Sequence, residues 1–157
     1  MLASQSKSIR PVGSVRRAVG VDADEVARLA LAFHAEDGHP LSQKGVGALL
    51  VMLEPDFADG LVLVLQIEGA ICGYGVLSFG YGIEHGGRET FIEDIYTLPE
   101  WRDQGFGSML FEALEDSARA AGCRAIHLEV MPGNRAEHWY RRLGYRDRGS
   151  QLLTRPL

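Results

Sequence analysis

The stretch that most restricts the fold runs from Phe91 to Ala121. It begins as a strand-like run, Phe91-Ile92-Glu93-Asp94-Ile95-Tyr96, and passes through Leu98-Pro99-Glu100-Trp101-Arg102-Asp103-Gln104-Gly105-Phe106-Gly107-Ser108. From Met109 to Ala121 it reads as a helix. Pro99 has no N–H to give a ladder, so strand pairing should end there. Gly105 and Gly107 carry no Cβ, which lets a ligand approach the backbone closely. Beyond them the chain turns helical, leaving N–H groups without carbonyl partners at the positive end of a helix dipole. Such a turn suits a pyrophosphate-like anion, and Arg102 can add a charge-assisted contact. Two glycines are equally what a plain turn contains. The known phosphate fingerprints fit poorly: Leu110 stands where a third Rossmann glycine would fall, and no Gly-Lys-Ser/Thr follows.

The flanking segments supply the rest of an α/β (α+β) architecture. The helix from Phe106 carries Leu110, Ala113, Leu114, Ala118 and Ala121 on one stripe and ends at Gly122. Ala125 to Val130 alternates, with Ile126, Leu128 and Val130 on one face and His127 and Glu129 on the other. Strand, helix and strand then form a right-handed unit with parallel strands, and His127 reads as a strand-surface residue. Upstream, Val15 to Val19 reads as a first strand. Asp22 with Glu25 resembles a capping box before a helix with Val26, Leu29, Ala30 and Phe33 inward. Ser42 caps a second helix that Pro55 stops, and Phe33 to Leu41 between them reads as a polar loop. His34 and His39 read as residues of that loop.

Leu61 to Ile67 suits a strand buried on both faces, and Ile71 to Phe79 its antiparallel partner. Gly73 and Gly75 thin one face, either for a ligand or for a large neighbouring side chain. Tyr81 to Arg88 reads as a mobile connection. After Pro132-Gly133-Asn134, a short helix presents Ala136, Trp139, Tyr140 and Leu143, and Tyr145 to Thr154 supplies one or two last strands.

A net charge of −5 argues against a nucleic-acid scaffold and favours a cationic small partner. Cys72 and Cys123 are unclustered and sit among apolar residues, which fits free thiols in a reducing cytoplasm. No CxxC or HxxxH spacing points to a metal, so none is expected. Positions 1–13 are Ser-rich without an apolar stretch and read as a flexible tail before a single domain over 14–157. No apolar run reaches membrane-span length.

Arg102-Asp103-Gln104-Gly105-Phe106-Gly107 matches the pattern Arg/Gln, two residues, Gly, one residue, Gly/Ala. With Asn134, Ala136, Tyr140 and Leu143-Gly144-Tyr145 downstream, the stretch from Phe91 to Tyr145 resembles the GCN5-related N-acetyltransferases. The Glu93-Asp94 pair before Ile95 looks most like the diamine and polyamine branch. The resemblance implies a mixed sheet of about six or seven strands flanked by about four helices. Its order would be strand, two helices, three strands, helix, strand, helix and two strands. It also implies acetyl-CoA as cosubstrate, a small-molecule amine as acceptor and a homodimer; no metal, no nucleic acid and no membrane partner are expected.

The resemblance assigns roles residue by residue. Backbone groups of Ile95, Tyr96 and Thr97 would meet the thioester and pantetheine arm, freed by a bulge in the strand. Arg102, Asp103, Gln104, Gly105, Phe106, Gly107 and Ser108 would form the pyrophosphate turn, with Asn134 and Tyr140 also at the cofactor. Asp103 departs from the usual small or basic residue, so its side chain should point away from the anion. Tyr140 is the candidate acid for the leaving thiolate, or a packing aromatic. Glu93 is the candidate base and Asp94 a cation anchor; adjacent strand residues share a face only if a bulge intervenes. Glu93 is otherwise a plain strand-edge acid. Glu36 and Glu84, with Asp37 and Glu89, would border the acceptor, or simply face water. The competing implications are a non-catalytic acyl-CoA-binding module and an acetyltransferase acting on a protein lysine or N-terminus. An aminoglycoside-type acceptor is a further option.

Overall fold

The computed structural model describes residues 10–157. Positions 1–9, most of the expected tail, lie outside the described residues. Five strands form one sheet in the order β1 (Gly13–Arg17), β2 (Gly60–Ile67), β3 (Ala70–Gly82), β4 (Gly87–Thr97) and β5 (Ile126–Leu128). The first four pair antiparallel, and β5 joins β4 in parallel. Helices α1 (Ala23–Glu36) and α2 (Gln43–Val51) cover one face; α3 (Phe106–Ala120) and α4 (Ala136–Arg142) belong to the other. This is the α+β arrangement and the element order expected as far as α4.

Two apolar layers hold the sheet. Val62, Val64, Tyr74, Val76 and Tyr96 meet Val26, Leu29, Ala30, Leu49 and Leu53 from α1 and α2. Leu63, Leu65, Leu77 and Ile92 meet Phe106, Leu110, Phe111 and Leu114 of α3. Strand β2 is buried on both faces because its side chains alternate between these layers. Gly75 is explained by packing rather than by a ligand: a Cβ there would lie 2.7 Å from Leu114 Cδ1.

Several expectations shift. The sheet has five strands, not six or seven, and 145–154 forms none. Strand β5 spans only three residues, so it offers little outer ladder to extend. The charges of Arg146, Asp147 and Arg148 also break any alternation before the exposed Leu152 and Leu153. Strand β1 starts at Gly13, inside the span expected to be tail. Helix α1 runs to Glu36, so His34 is helical rather than in a loop. The connection expected over 81–88 is largely a hairpin, with Gly82 opposite Gly87 and a short turn between.

Asp22 does not form a capping box with Glu25. Its buried carboxylate accepts from Arg16 at 2.7 and 2.8 Å and from the Val19 N–H at 2.9 Å, tying β1 to the entry of α1. The Arg16 guanidinium, by hydrogen bonding first of all, holds this carboxyl below the usual range, against the opposing effect of burial. Its contribution to stability is therefore complete above the unfolded carboxylate range near ~4 and is lost as pH falls through the folded pKa. Asp22→Asn should lower stability by about 1–2 kcal/mol at neutral pH, discounted because Arg16 is partly exposed. Thermal melts of both proteins from pH 7 to pH 3 should show the gap narrowing on the acid side.

Candidate active site

Strand β4 carries the first part of the site. Its register with β3 places Asp94 opposite Val76 and Ile92 opposite Leu77, leaving Glu93 as the extra residue of a β-bulge. The bulge turns Glu93 and Asp94 toward the same sheet face. The Ser78 hydroxyl donates to Glu93, while the Tyr74 hydroxyl donates to Asp94 at 2.6 Å. Tyr74 and Ser78 are alternate residues of β3 and share a face across Val76. His34 Nε2 of α1 lies 3.2 Å from the same Asp94 oxygen. Burial, then the Asp94 charge, pushes the Tyr74 phenol well up, so it remains a donor at neutral pH. Glu93 is exposed, whereas Asp94 is largely enclosed by its two partners.

The second part is a fork. Strand β5 lies beside β4 only from Thr90 to Ile92. Among the described residues, the edge of β4 from Glu93 to Thr97 that faces away from β3 has no strand beside it. Ile95 points toward the α3 layer, and Tyr96 is buried on the other side, its ring 5.6 Å from that of Phe33.

The third part is the turn into α3. Gly105 adopts φ +89°, a conformation that suits glycine, and intrahelical bonding starts only at the Met109 N–H, which donates to Gly105 O at 3.1 Å. No side chain caps this end among the described residues, so the N–H groups of Phe106, Gly107 and Ser108 point outward. Apart from its chain neighbours and its own helix backbone, a Cβ built on Gly107 meets no protein atom within 4 Å. Such a cradle, bare backbone donors around an empty side-chain position, fits a phosphate group. Asp103 is exposed and has φ +58°. Gln104 donates to the Glu100 carbonyl at 2.9 Å.

Arg102 differs from its expected role. Its guanidinium grips Glu36 at 2.7 and 2.9 Å, and its Nε donates to Thr97 O at 2.9 Å. It also lies over the Tyr96 ring at 5.3 Å. Its charge therefore fastens the C-terminal end of α1 to the exit of β4. Glu36 is correspondingly held ionised by Arg102, and Glu84 is paired with Arg148 at 2.6 Å. Each of these carboxylates thus has an arginine as its partner.

Tyr140 lies on α4, in an aromatic group with Phe111 at 5.6 Å, Trp139 at 5.2 Å and Tyr145 at 6.1 Å. Burial raises its phenol pKa, so it is protonated at neutral pH. The Tyr140 side chain is half-buried rather than sealed in the core. The Asn134 carboxamide oxygen accepts from the Ala136 N–H at 2.9 Å and so caps α4. Cys72 and Cys123 are free thiols. Sequence reasoning missed Tyr74 and Ser78, and misjudged His34. The spacing did hold a signal for His34: it follows Ala30 by one helical turn, on the stripe that faces the sheet.

No helix among the described residues is long and apolar enough to cross a membrane. The chain is 38% identical over 78 residues to thialysine N-epsilon-acetyltransferase of Bos taurus, a match covering 49% of this chain and 45% of that protein. The chain thus aligns with about half the length of this relative. It is 25% identical over 116 residues to aminoglycoside N(6')-acetyltransferase type 1 of Stenotrophomonas maltophilia, covering 72% of each. Among solved structures, an integron cassette protein from the mobile metagenome of Cole Harbour Salt Marsh superposes with a TM-score of 0.77 at 28% identity. That superposition covers 91% of this chain and 90% of the other. An aminoglycoside N-acetyltransferase solved with CoA superposes with a TM-score of 0.78 over 95% of this chain and 97% of the other; at 17% identity it speaks for the fold alone. The acetyltransferase (GNAT) family model matches residues 29–145, a span that holds the bulge, the fork, the bare helix start and Tyr140, and the chain belongs to that family.

Proposed function

We propose that the protein is an acetyl-CoA-dependent N-acetyltransferase that acetylates a primary amine on a small cationic molecule, by direct attack within a ternary complex. The observation that carries this reading is the bulge at Glu93, which sets two carboxylates on one face beside the unpaired edge of β4. The turn at Gly105–Ser108 supports the cosubstrate half of it. Its outward N–H groups suit the diphosphate of CoA, and the empty space over Gly107 suits a close approach. The free edge at Ile95, Tyr96 and Thr97 offers main-chain groups to the pantetheine arm and the thioester carbonyl.

The acceptor needs its lone pair. An alkyl amine with pKa ~10.4 is almost entirely protonated at pH 7, and exposing the lone pair costs roughly 4–5 kcal/mol. Asp94, held by Tyr74 and His34, is a fixed charge to anchor the ammonium group. Glu93, exposed and tethered only by Ser78, accepts the proton, directly or through water. Tyr140 then protonates the departing thiolate. The relatives named for thialysine and for an aminoglycoside support amines of low molecular weight as acceptors. The family resemblance adds a homodimer to the reading, and the free thiols Cys72 and Cys123 suit a reducing cytoplasm.

A thiol-release assay with acetyl-CoA and a panel of thialysine, a polyamine, an aminoglycoside and a lysine peptide tests the assignment. Turnover should concentrate on the small amines. Tight acetyl-CoA binding with no turnover on any amine would instead make the chain a sensor of acyl-CoA. Turnover confined to the peptide would make it a protein acetyltransferase. Glu93→Gln should lower kcat by about 10²-fold at pH 7, with activity returning as pH approaches the amine's own pKa of ~10. A flat deficit across pH would remove Glu93 as base. Tyr140→Phe should cost a similar ~10²-fold in kcat with acetyl-CoA affinity unchanged. Gly107→Ala meets no protein neighbour and adds helix propensity, so the melting temperature should hold or rise. Acetyl-CoA affinity should nonetheless fall by roughly tenfold or more as the methyl fills the cradle; unchanged affinity in titration calorimetry would place the diphosphate elsewhere.

A further inference from the structure

At the closed end of the fork, three side chains that the proposed chemistry does not use converge. His85 sits in the turn between β3 and β4, Glu89 near the start of β4, and His127 in the middle of β5. His85 Nδ1 lies 3.2 Å and His127 Nε2 3.3 Å from the same oxygen, Glu89 Oε2. The two imidazole rings are 5.4 Å apart, and one donor atom from each of the three residues lies within 4.8 Å of the others. This is the one such group of three among the described residues. All three side chains are half-buried, at 33%, 26% and 26% exposure, so they are shielded but reachable from solvent.

The backbone builds this arrangement. The Gly82–Gly87 register closes the hairpin and folds His85 back over Glu89. The parallel register sets His127 beside Phe91, which shares its face with Glu89. Any Cβ at Gly82 would collide with the Glu89 carboxylate, so the glycine keeps the space that the carboxylate fills. Arg88 is directed away, over the Phe79 ring at 4.3 Å on the opposite face.

Two imidazoles and one carboxylate are the donor set of a borderline divalent ion. Four ligands at ~2.0–2.1 Å around tetrahedral zinc lie about 3.3–3.4 Å from one another. The two histidine-to-glutamate separations already have that spacing, and only the imidazole-to-imidazole distance has to close. We propose that His85, Glu89 and His127 form a site for a divalent transition ion of the zinc class, with the fourth position open to water. The ion joins the hairpin turn, the start of β4 and β5. Because β5 is held to β4 by only three register pairs, the ion staples the parallel pair on the closed side of the fork. This assignment does not depend on acetyl transfer.

The test uses tag-free, full-length protein, treated with EDTA and dialysed. Zn2+ is titrated by calorimetry, and Co2+ is followed by its visible absorption. One ion should bind per chain, Co2+ should develop ligand-field bands, and saturating Zn2+ should raise the melting temperature. His85→Ala and Glu89→Gln should each weaken binding by roughly 100-fold or more, and His127→Ala likewise. His39→Ala, after α1 where the ring faces Asp37 and none of the three residues, should bind as the parent does. His85 sits in a turn, so its variant keeps the test open if a change within a strand prevents folding. Absence of saturable uptake, or binding undiminished in His85→Ala and Glu89→Gln, would overturn the assignment.

Discussion

The site depends on the parting of β4 from β5. A parallel pair normally satisfies backbone groups along its whole length, and an open strand edge in a compact domain is a liability. Here pairing stops at Ile92, and β4 continues to Thr97 with one edge unaccompanied by a strand. The bulge falls at the next residue, Glu93, where the missing neighbour leaves the strand free to take an extra residue. The two irregularities are thus adjacent. In the proposed reaction one would provide main-chain groups for a substrate arm, while the other turns two carboxylates to one face. Neither would serve the proposed reaction alone.

Around that opening the apolar layers act as a frame. The α3 layer is complete under Leu77, Ile92 and Ile95, so the bare helix start is held by the buried Phe106, Leu110 and Leu114. A donor array that is already ordered costs little to organise when an anion arrives. The α1 and α2 layer covers Val62, Val64, Tyr74, Val76 and Tyr96 but does not extend over Ser78, Phe91 and Glu93. The polar face of β4 is left open there because the helices stop short of it. His34 marks the border, the last sheet-facing residue of α1 and the first to meet an acid rather than a hydrocarbon.

How much of this was legible in the sequence follows the range of the signals. The helix from Phe106 and the strands from Leu61 and Phe91 announced themselves through periodicity and through Pro99 and Gly105, all local features. The glycine turn was legible because its conformational need is local too. The pairings of Arg102 with Glu36 and of Arg148 with Glu84 were not, since each joins residues far apart in the chain. Composition reports that such charges exist, not which partner neutralises them. The same limit concealed the group of His85, Glu89 and His127, whose third member comes from another strand. The final strands were over-read because Tyr145 to Thr154 contains apolar residues without a ladder to receive them.

Those long-range pairings also shape the electrostatics that an acceptor meets. Counting acids alone, the loops near the site look like a broad negative rim suited to an extended polycation. Two of those acids are already matched by arginines, and Glu89 is hydrogen-bonded between two imidazoles. Among the described residues of the open face, Glu93 and Asp94 are then the carboxylates matched neither by an arginine nor by two imidazoles, one exposed and one held by two partners. A concentrated pair of charges beside a free strand edge would, in the proposed reaction, select a single ammonium group and orient it. In the proposed reaction, the rest of the acceptor would be recognised by shape and hydrogen bonding along β3 and β4, not by a long train of ion pairs.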